Sequence, residues 1–144
     1  FCFFGCASFK PKTTEGPLLD FFKEAPLPHT QAALTLTENG RNEIGRENYE
    51  EAIETLNKAL KIDPYQPFSY YFLGLIYYKK YSYRRSLNFL EKAIDLSNAF
   101  PFWKAESHSL SGLNWKALGN HQKASFHFDA AKKLNPNMHF PAEN

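Results

Sequence analysis

Five histidines and two cysteines are the side chains of this sequence best suited to metal binding or nucleophilic chemistry. They are His29, His108, His121, His127, His139, Cys2 and Cys6. The histidines lack the spacing of metal ligands, and His121 and His127, six residues apart, fall on different faces of a helix. Neither cysteine has a neighbour that would activate it as a nucleophile. Because the chain also has no glycine-rich phosphate loop, we expect no enzyme and no bound metal or cofactor.

The cysteines favour a different chemistry. The chain starts with the residues FCFFGCAS. They resemble the end of a bacterial lipoprotein signal peptide, in which an apolar run leads into Gly-Cys and the cysteine becomes lipidated. The resemblance implies that residues 1–6 are the remnant of a signal, that Cys6 is the lipidation site and that the protein is anchored to a membrane of a bacterial cell envelope. The alternative is an apolar N-terminus that packs on the domain of a soluble, cytoplasmic adaptor.

A periodic pattern of small and large residues organises the rest of the chain. Gly40, Gly74 and Gly112 are each followed by a small residue 12 positions later, a large apolar residue 16 later and an alanine 19 later. The three copies continue with Ala52, Leu56 and Ala59, with Ser86, Leu90 and Ala93, and with Ala124, Phe128 and Ala131. The copies are 34 and then 38 residues apart, which is typical of stacked supersecondary units.

The same spacing predicts what each unit is. Residues at these intervals lie on one stripe of a helix, where the small side chains let a second helix approach closely. Pro64 and Pro136 follow the first and third copies at a distance of five residues, where a proline ends a helix. We therefore expect each copy to be a helical hairpin.

The pattern resembles the tetratricopeptide repeat (TPR). The best copy has Tyr70, Leu73, Gly74 and Tyr77 in its first helix. The resemblance implies an all-α fold, namely a TPR-type α-solenoid of three helix-turn-helix hairpins. Its repeats would span residues 33–66, 67–104 and 105–138, followed by a short tail at 139–144, with an insertion around residues 97–102. The resemblance also implies a protein-interaction scaffold rather than an enzyme.

A binding groove is part of the same resemblance. In this family the first helix of each hairpin lines a concave groove, and the corresponding residues here are Phe68, Tyr71, Leu75, Tyr78, Arg41, Ile44, Ser109, Leu113 and Lys116. We expect this groove to bind a peptide or helix segment of another protein. The chaperone-binding members grip a C-terminal carboxylate with Lys and Asn. Thr37 and Arg41 stand at those positions of the first repeat, so that clamp is not expected.

Nucleic acid and a second copy of this chain are two alternatives to a segment of another protein as the partner. Residues 77–85 interleave tyrosines with Lys and Arg, as in some sites for single-stranded nucleic acid. The run falls on a turn between helices, where solvation explains the charges, so we do not expect nucleic acid. Self-assembly through uncovered helix surfaces stays open, and sedimentation over a range of concentrations would test it.

Residues 7–32 are expected to form an extended linker before the repeats. Residues 10–17 are polar, contain two prolines and show no periodicity. The apolar side chains of residues 18–22 interrupt this stretch. They could form a short helix against the first repeat, lie on the membrane, or occupy the groove of their own chain.

Overall fold

The computed structural model describes residues 16–140, which are helical with no strands. Six α-helices pair into three hairpins, and a short 3-10 helix, Leu18–Phe21, precedes them. The helices are α1 (Pro28–Gly45), α2 (Tyr49–Ile62), α3 (Pro67–Lys79), α4 (Tyr83–Leu96), α5 (Pro101–Ala117) and α6 (His121–Leu134). The predicted fold, an α-solenoid of three helix-turn-helix hairpins, is confirmed.

Each hairpin closes where a glycine of its first helix meets a large side chain of its second. The pairs are Gly40 with Leu56, Gly74 with Leu90, and Gly112 with Phe128. A Cβ added to these glycines would lie 2.7, 2.7 and 2.5 Å from the nearest side-chain carbon. Because carbon atoms do not pack that closely, the contact as it stands requires glycine. The recurring sequence pattern thus corresponds to one repeated helix contact.

The turns within the hairpins repeat as strictly as the helices. Glu47, Tyr81 and Gly119 have φ angles of 63°, 60° and 77°, in the left-handed region. Their spacing, 81 − 47 = 34 and 119 − 81 = 38, equals that of the three glycines in the sequence pattern. The backbone at the first two positions adopts a conformation that costs least for glycine. The third hairpin has glycine there.

Stacking of the hairpins divides the helices into two sets. α3 contacts both α1 and α5, whereas α2, α4 and α6 make no contacts with one another in the described part of the chain. We call the surface that α1, α3 and α5 present away from the other three helices the inner face. The central helix α3 is enclosed, because residues 67–77 are all buried except Tyr70.

Two helices begin ahead of the repeats predicted from the sequence. α1 begins at Pro28, before the repeat predicted from residue 33, and α5 begins at Pro101, before the repeat predicted from residue 105. A proline fits the first turn of a helix, where its missing N–H has no partner to lose. Of the residues assigned to an insertion, 97–100 therefore connect α4 to α5, and Pro101 and Phe102 belong to α5. Residues 28–32 likewise belong to α1 and not to the predicted linker.

The membrane anchor predicted at Cys6 lies outside the described residues. Within residues 16–140, none of the helices combines the length and the apolar character needed to cross a membrane.

Candidate functional site

The inner face is covered at one end by the chain's own residues 16–22, which we call the N-terminal segment. α1 holds the main chain of this segment at two points. The Leu18 N–H donates to Glu38 Oε1 at 2.6 Å, and Arg41 Nη1 donates to the Gly16 carbonyl at 3.0 Å. Glu38 and Arg41 lie one turn apart and pair with each other at 2.5 Å. Because both hydrogen bonds go to main-chain atoms, they do not depend on the side chains of the segment.

Three side chains of the N-terminal segment pack inward. Leu18 is fully buried. The ring of Phe21 lies 5.7 Å from that of Phe102 and 5.6 Å from that of Trp103, measured between centroids.

Phe22 contacts Phe68 at 6.1 Å and Phe100 at 5.1 Å. Leu19, in contrast, is 51% exposed. Among the three alternatives for residues 18–22, the structure therefore shows a short 3-10 helix packed on the inner face.

Trp103 is the centre of the aromatic cluster beneath the segment. Its ring meets five others edge to face at centroid distances of 5.0 to 5.9 Å, and it is 1% exposed. The partners are Phe21, Phe68, Tyr71, Phe72 and Phe102. The indole N–H has no hydrogen-bond partner among the described residues. An unsatisfied buried donor costs about 1–3 kcal/mol.

A buried hydrogen bond links α3 to α5 beside this cluster. The Tyr71 hydroxyl donates to the Glu106 carboxylate, and burial raises the pKa of Tyr71 well above its usual value. Burial also raises the pKa of Glu106 to about 7, although the hydrogen bond from Tyr71 acts in the opposite direction. Near pH 7 the Glu106 carboxyl is therefore partly protonated and partly ionised.

The structure places the sequence-predicted groove residues in two classes. Those that are buried are Phe68, Tyr71, Leu75, Ile44, Ser109 and Leu113. Those that remain partly exposed are Arg41, Tyr78 and Lys116. Two of the aromatic residues predicted for the groove, Phe68 and Tyr71, are therefore not exposed in the structure, because neighbouring hairpins enclose α3 and the N-terminal segment covers Phe68. Thr37 is also buried, and its hydroxyl hydrogen-bonds that of Ser69 at 2.6 Å.

Several residues of this site were missed in the sequence. Glu38, Phe102 and Trp103 lie outside the repeat positions used for the groove. Pro101 is the signal that could have revealed the last two, because a proline at the start of a helix places the following residues in its first turn.

Comparisons with known proteins place the sequence pattern in a family. The TPR repeat model matches residues 40–80, and a second tetratricopeptide repeat model matches residues 69–100. Residues 40–100 of this chain are therefore similar to tetratricopeptide repeats. A TPR repeat-containing protein of Methanocaldococcus jannaschii is 39% identical over 46 residues. That alignment covers 32% of this chain and 8% of the other protein, so the similarity is limited to a short part of a much longer protein.

Solved structures show the same TPR fold. The N-terminal domain of stress-induced protein-1 from C. elegans is 19% identical, with a TM-score of 0.71 over 78% of this chain and 91% of that one. The first TPR of Spaghetti (RPAP3), bound to the HSP90 peptide SRMEEVD, is 24% identical, with a TM-score of 0.69 over 76% and 83% of the two chains. The second TPR of Spaghetti, bound to the same peptide, is 20% identical, with a TM-score of 0.67 over 74% and 90%.

A second concavity lies between the last two hairpins, on the side of α4 and α6. It is an open pocket of about 400 Å³, with Glu91 and Asp95 on one side and His108 and His127 on the other. The two Nδ1 atoms of the histidines are 3.0 Å apart, so one ring donates to the other. This pair was not predicted from the sequence, because the histidines were compared along one helix and these two lie on different helices. Within residues 16–140, no three His, Cys, Asp or Glu side chains are placed to hold a metal ion.

Two partly buried titratable groups, Glu106 and His108, predict opposite pH dependences of the stability of this chain. Burial, with His127 and Lys104 nearby, lowers the pKa of His108 to about 4. The folded state therefore binds fewer protons than the unfolded chain below the ordinary histidine pKa of about 6.5, and stability falls as the pH falls from there toward 4. The raised pKa of Glu106 has the opposite effect on stability. The folded state then binds more protons than the unfolded chain, so stability falls as the pH rises from about 4.5 to about 7.

Urea unfolding at several pH values between about 4 and 8 checks this prediction. We expect His108→Gln to reduce the loss of stability on acidification and Glu106→Gln to increase it. His139→Gln, at an exposed position, serves as the control and should follow the unmodified chain. Parallel profiles of unfolding free energy against pH for all three variants would contradict the assignment of these pH dependences to His108 and Glu106.

Proposed function

We propose that this chain is a non-enzymatic interaction scaffold whose inner face binds a short apolar or aromatic segment of another protein. One observation carries the proposal, namely that the inner face already holds a peptide segment through main-chain hydrogen bonds and inserted side chains. Glu38 and Arg41 bind the main chain, and the cluster around Trp103 receives aromatic rings. These are the two elements by which a groove recognises an extended peptide.

The solved TPR structures support peptide binding as the mode of action. Two of them carry an HSP90 peptide. That peptide, SRMEEVD, is acidic. In this chain the Glu38 carboxylate faces the bound main chain, and the rings of the cluster are apolar. We therefore propose an apolar or aromatic partner segment rather than an acidic one.

Selection from a random peptide library displayed on phage, with the immobilised full chain as target, tests this function. We expect apolar and aromatic peptides to be enriched. Fluorescence anisotropy then measures their affinity for variants of the full chain. Arg41→Ala removes the hydrogen bond to the main chain. In a chain that also carries Phe21→Ser and Phe22→Ser, so that the N-terminal segment does not compete through the same arginine, this substitution should weaken binding about tenfold, which corresponds to about 1.4 kcal/mol.

Phe126→Ala is the matched control for this experiment. Phe126 is an aromatic residue of α6 that is 66% exposed and lies away from the inner face. Its removal should leave the affinity unchanged. A failure to select any peptide, or a loss of affinity in Phe126→Ala but not in Arg41→Ala, would overturn the proposed site.

We also propose that the scaffold is tethered to a bacterial membrane by a lipid on Cys6. The Gly5-Cys6 sequence after an apolar run supports the anchor. Metabolic labelling with an alkyne fatty acid in bacteria tests it, and Cys2→Ser provides a matched control four residues away. Labelling should persist in Cys2→Ser and disappear in Cys6→Ser. Equal labelling of the two variants, or none in the unmodified chain, would favour the soluble adaptor.

A further inference from the structure

We propose that residues 18–22 are a built-in ligand of the inner face, which is displaced by a partner segment of the same chemistry. That chemistry is an aliphatic residue followed, three positions later, by two adjacent aromatic residues. The inference rests on the proposed function, because it names the class of partner that the same site accepts. It also implies that the chain is partly blocked until such a partner arrives.

The contacts of the segment are those of a peptide in a groove. Its main chain is extended on either side of the short 3-10 helix, with φ and ψ of −63° and 141° at Pro17 and of −96° and 132° at Phe22. Glu38 accepts the N–H of Leu18, and Arg41 donates to the carbonyl two residues earlier. A segment of another protein can offer the same N–H and carbonyl, so specificity must come from the three inserted side chains.

The segment can leave without unfolding a helix. Residues 23–27 join it to α1, and within this connection residues 23–25 are exposed. Leu27 is 65% exposed. Because these residues bury little surface, swinging the segment away breaks its own contacts and none within the hairpins.

The fit of the segment is incomplete, which leaves room for a better ligand. Phe21 and Phe22 are only partly buried. The Trp103 indole N–H below them is buried without a partner in the described part of the chain. A partner segment that brings a carbonyl to this donor would gain a hydrogen bond that the built-in segment does not make.

A peptide supplied in solution tests the inference directly. The probe is the fluorescein-labelled peptide GPLLDFFKE, which copies residues 16–24. Its affinity is measured by anisotropy against the full chain and against the full chain carrying Phe21→Ser and Phe22→Ser. In the unmodified chain the tethered copy competes at an effective concentration in the millimolar range, so the peptide should bind the double variant about tenfold more tightly or better.

Leu19→Ser is the matched control, because Leu19 lies within the segment but is 51% exposed. It should bind the peptide as the unmodified chain does. Equal affinities of the unmodified chain and a folded double variant would overturn the inference.

A second measurement covers the case in which the double variant does not fold. In the unmodified chain, an excess of unlabelled peptide should accelerate the amide hydrogen exchange of residues 18–22 and leave that of α3 unchanged. Unchanged exchange of residues 18–22 at saturating peptide would also overturn the inference.

The two proposals fail in different ways. If peptides from the library bind the unmodified chain and the double variant equally well, the inner face binds partners but the segment does not block it. If no library peptide binds either chain while GPLLDFFKE binds the double variant, the segment is a ligand of its own chain only, and the proposed function is wrong.

Discussion

Replacement of Trp103 by alanine should lower the free energy of unfolding by about 3–5 kcal/mol, the range for removal of a large buried aromatic side chain. The indole is 1% exposed and contacts five rings, drawn from α3, α5 and the N-terminal segment. Its removal leaves a cavity that these rings cannot all fill. Urea unfolding of the full chain, followed by circular dichroism, measures the loss.

Two further variants show whether the loss comes from the cluster. Trp103→Phe keeps a ring and removes the unpaired indole N–H, so it should lose much less stability than Trp103→Ala. Trp115→Ala removes the other tryptophan, which is partly exposed, and should also have a smaller effect. A loss below about 1 kcal/mol in Trp103→Ala would contradict the central position of this residue.

Leu90→Ala should have the second largest effect, a loss of about 2–5 kcal/mol. Leu90 is fully buried, and its Cγ packs against Gly74 across the central hairpin. Leu134→Ala is the control, because Leu134 is 38% exposed at the end of α6. Urea unfolding should separate the two variants clearly, and equal losses would show that the repeated helix contact is not a main source of stability.

A double-mutant cycle makes this test specific to the Gly74 contact. In the unmodified chain, Gly74→Ala should be destabilising, because its Cβ would lie 2.7 Å from Leu90 Cγ. In the Leu90→Ala background the methyl group has space, and alanine stabilises a helix by up to about 1 kcal/mol relative to glycine. Gly74→Ala should therefore be neutral or stabilising there, and additive effects would contradict the contact.

The helix pairing was predictable because it depends on local spacing. Gly74, Ser86 and Leu90 lie within one hairpin, so their intervals along the chain translate directly into positions on two facing helices. α1 and α5 begin ahead of the predicted repeats, because the repeat bounds were counted back from the pattern to fixed positions. Pro28 and Pro101, which begin these helices, were the better local signal.

The candidate site depends on contacts that no local pattern encodes. Phe21 meets Trp103 although they are far apart in sequence, and only the stacking of three hairpins places α1 and α5 against α3, where one segment reaches both. The His108–His127 pair lies within the third hairpin, and it was missed because the histidines were compared only along a single helix. The repeat pattern indicated the first helix of each hairpin as the proposed binding surface, but it could not reveal that Tyr71 and Leu75 are buried there.

Because the chain has two tryptophans in different places, one measurement tests whether the inner face is the peptide-binding site. Trp103 lies under the N-terminal segment, and Trp115 lines the pocket beside α4 and α6. In a nitrogen-15 NMR titration of the full chain with the tightest peptide from the library, the indole signal of Trp103 should shift and that of Trp115 should stay in place. A shift of Trp115 alone, or of neither signal at saturating peptide, would contradict peptide binding on the inner face.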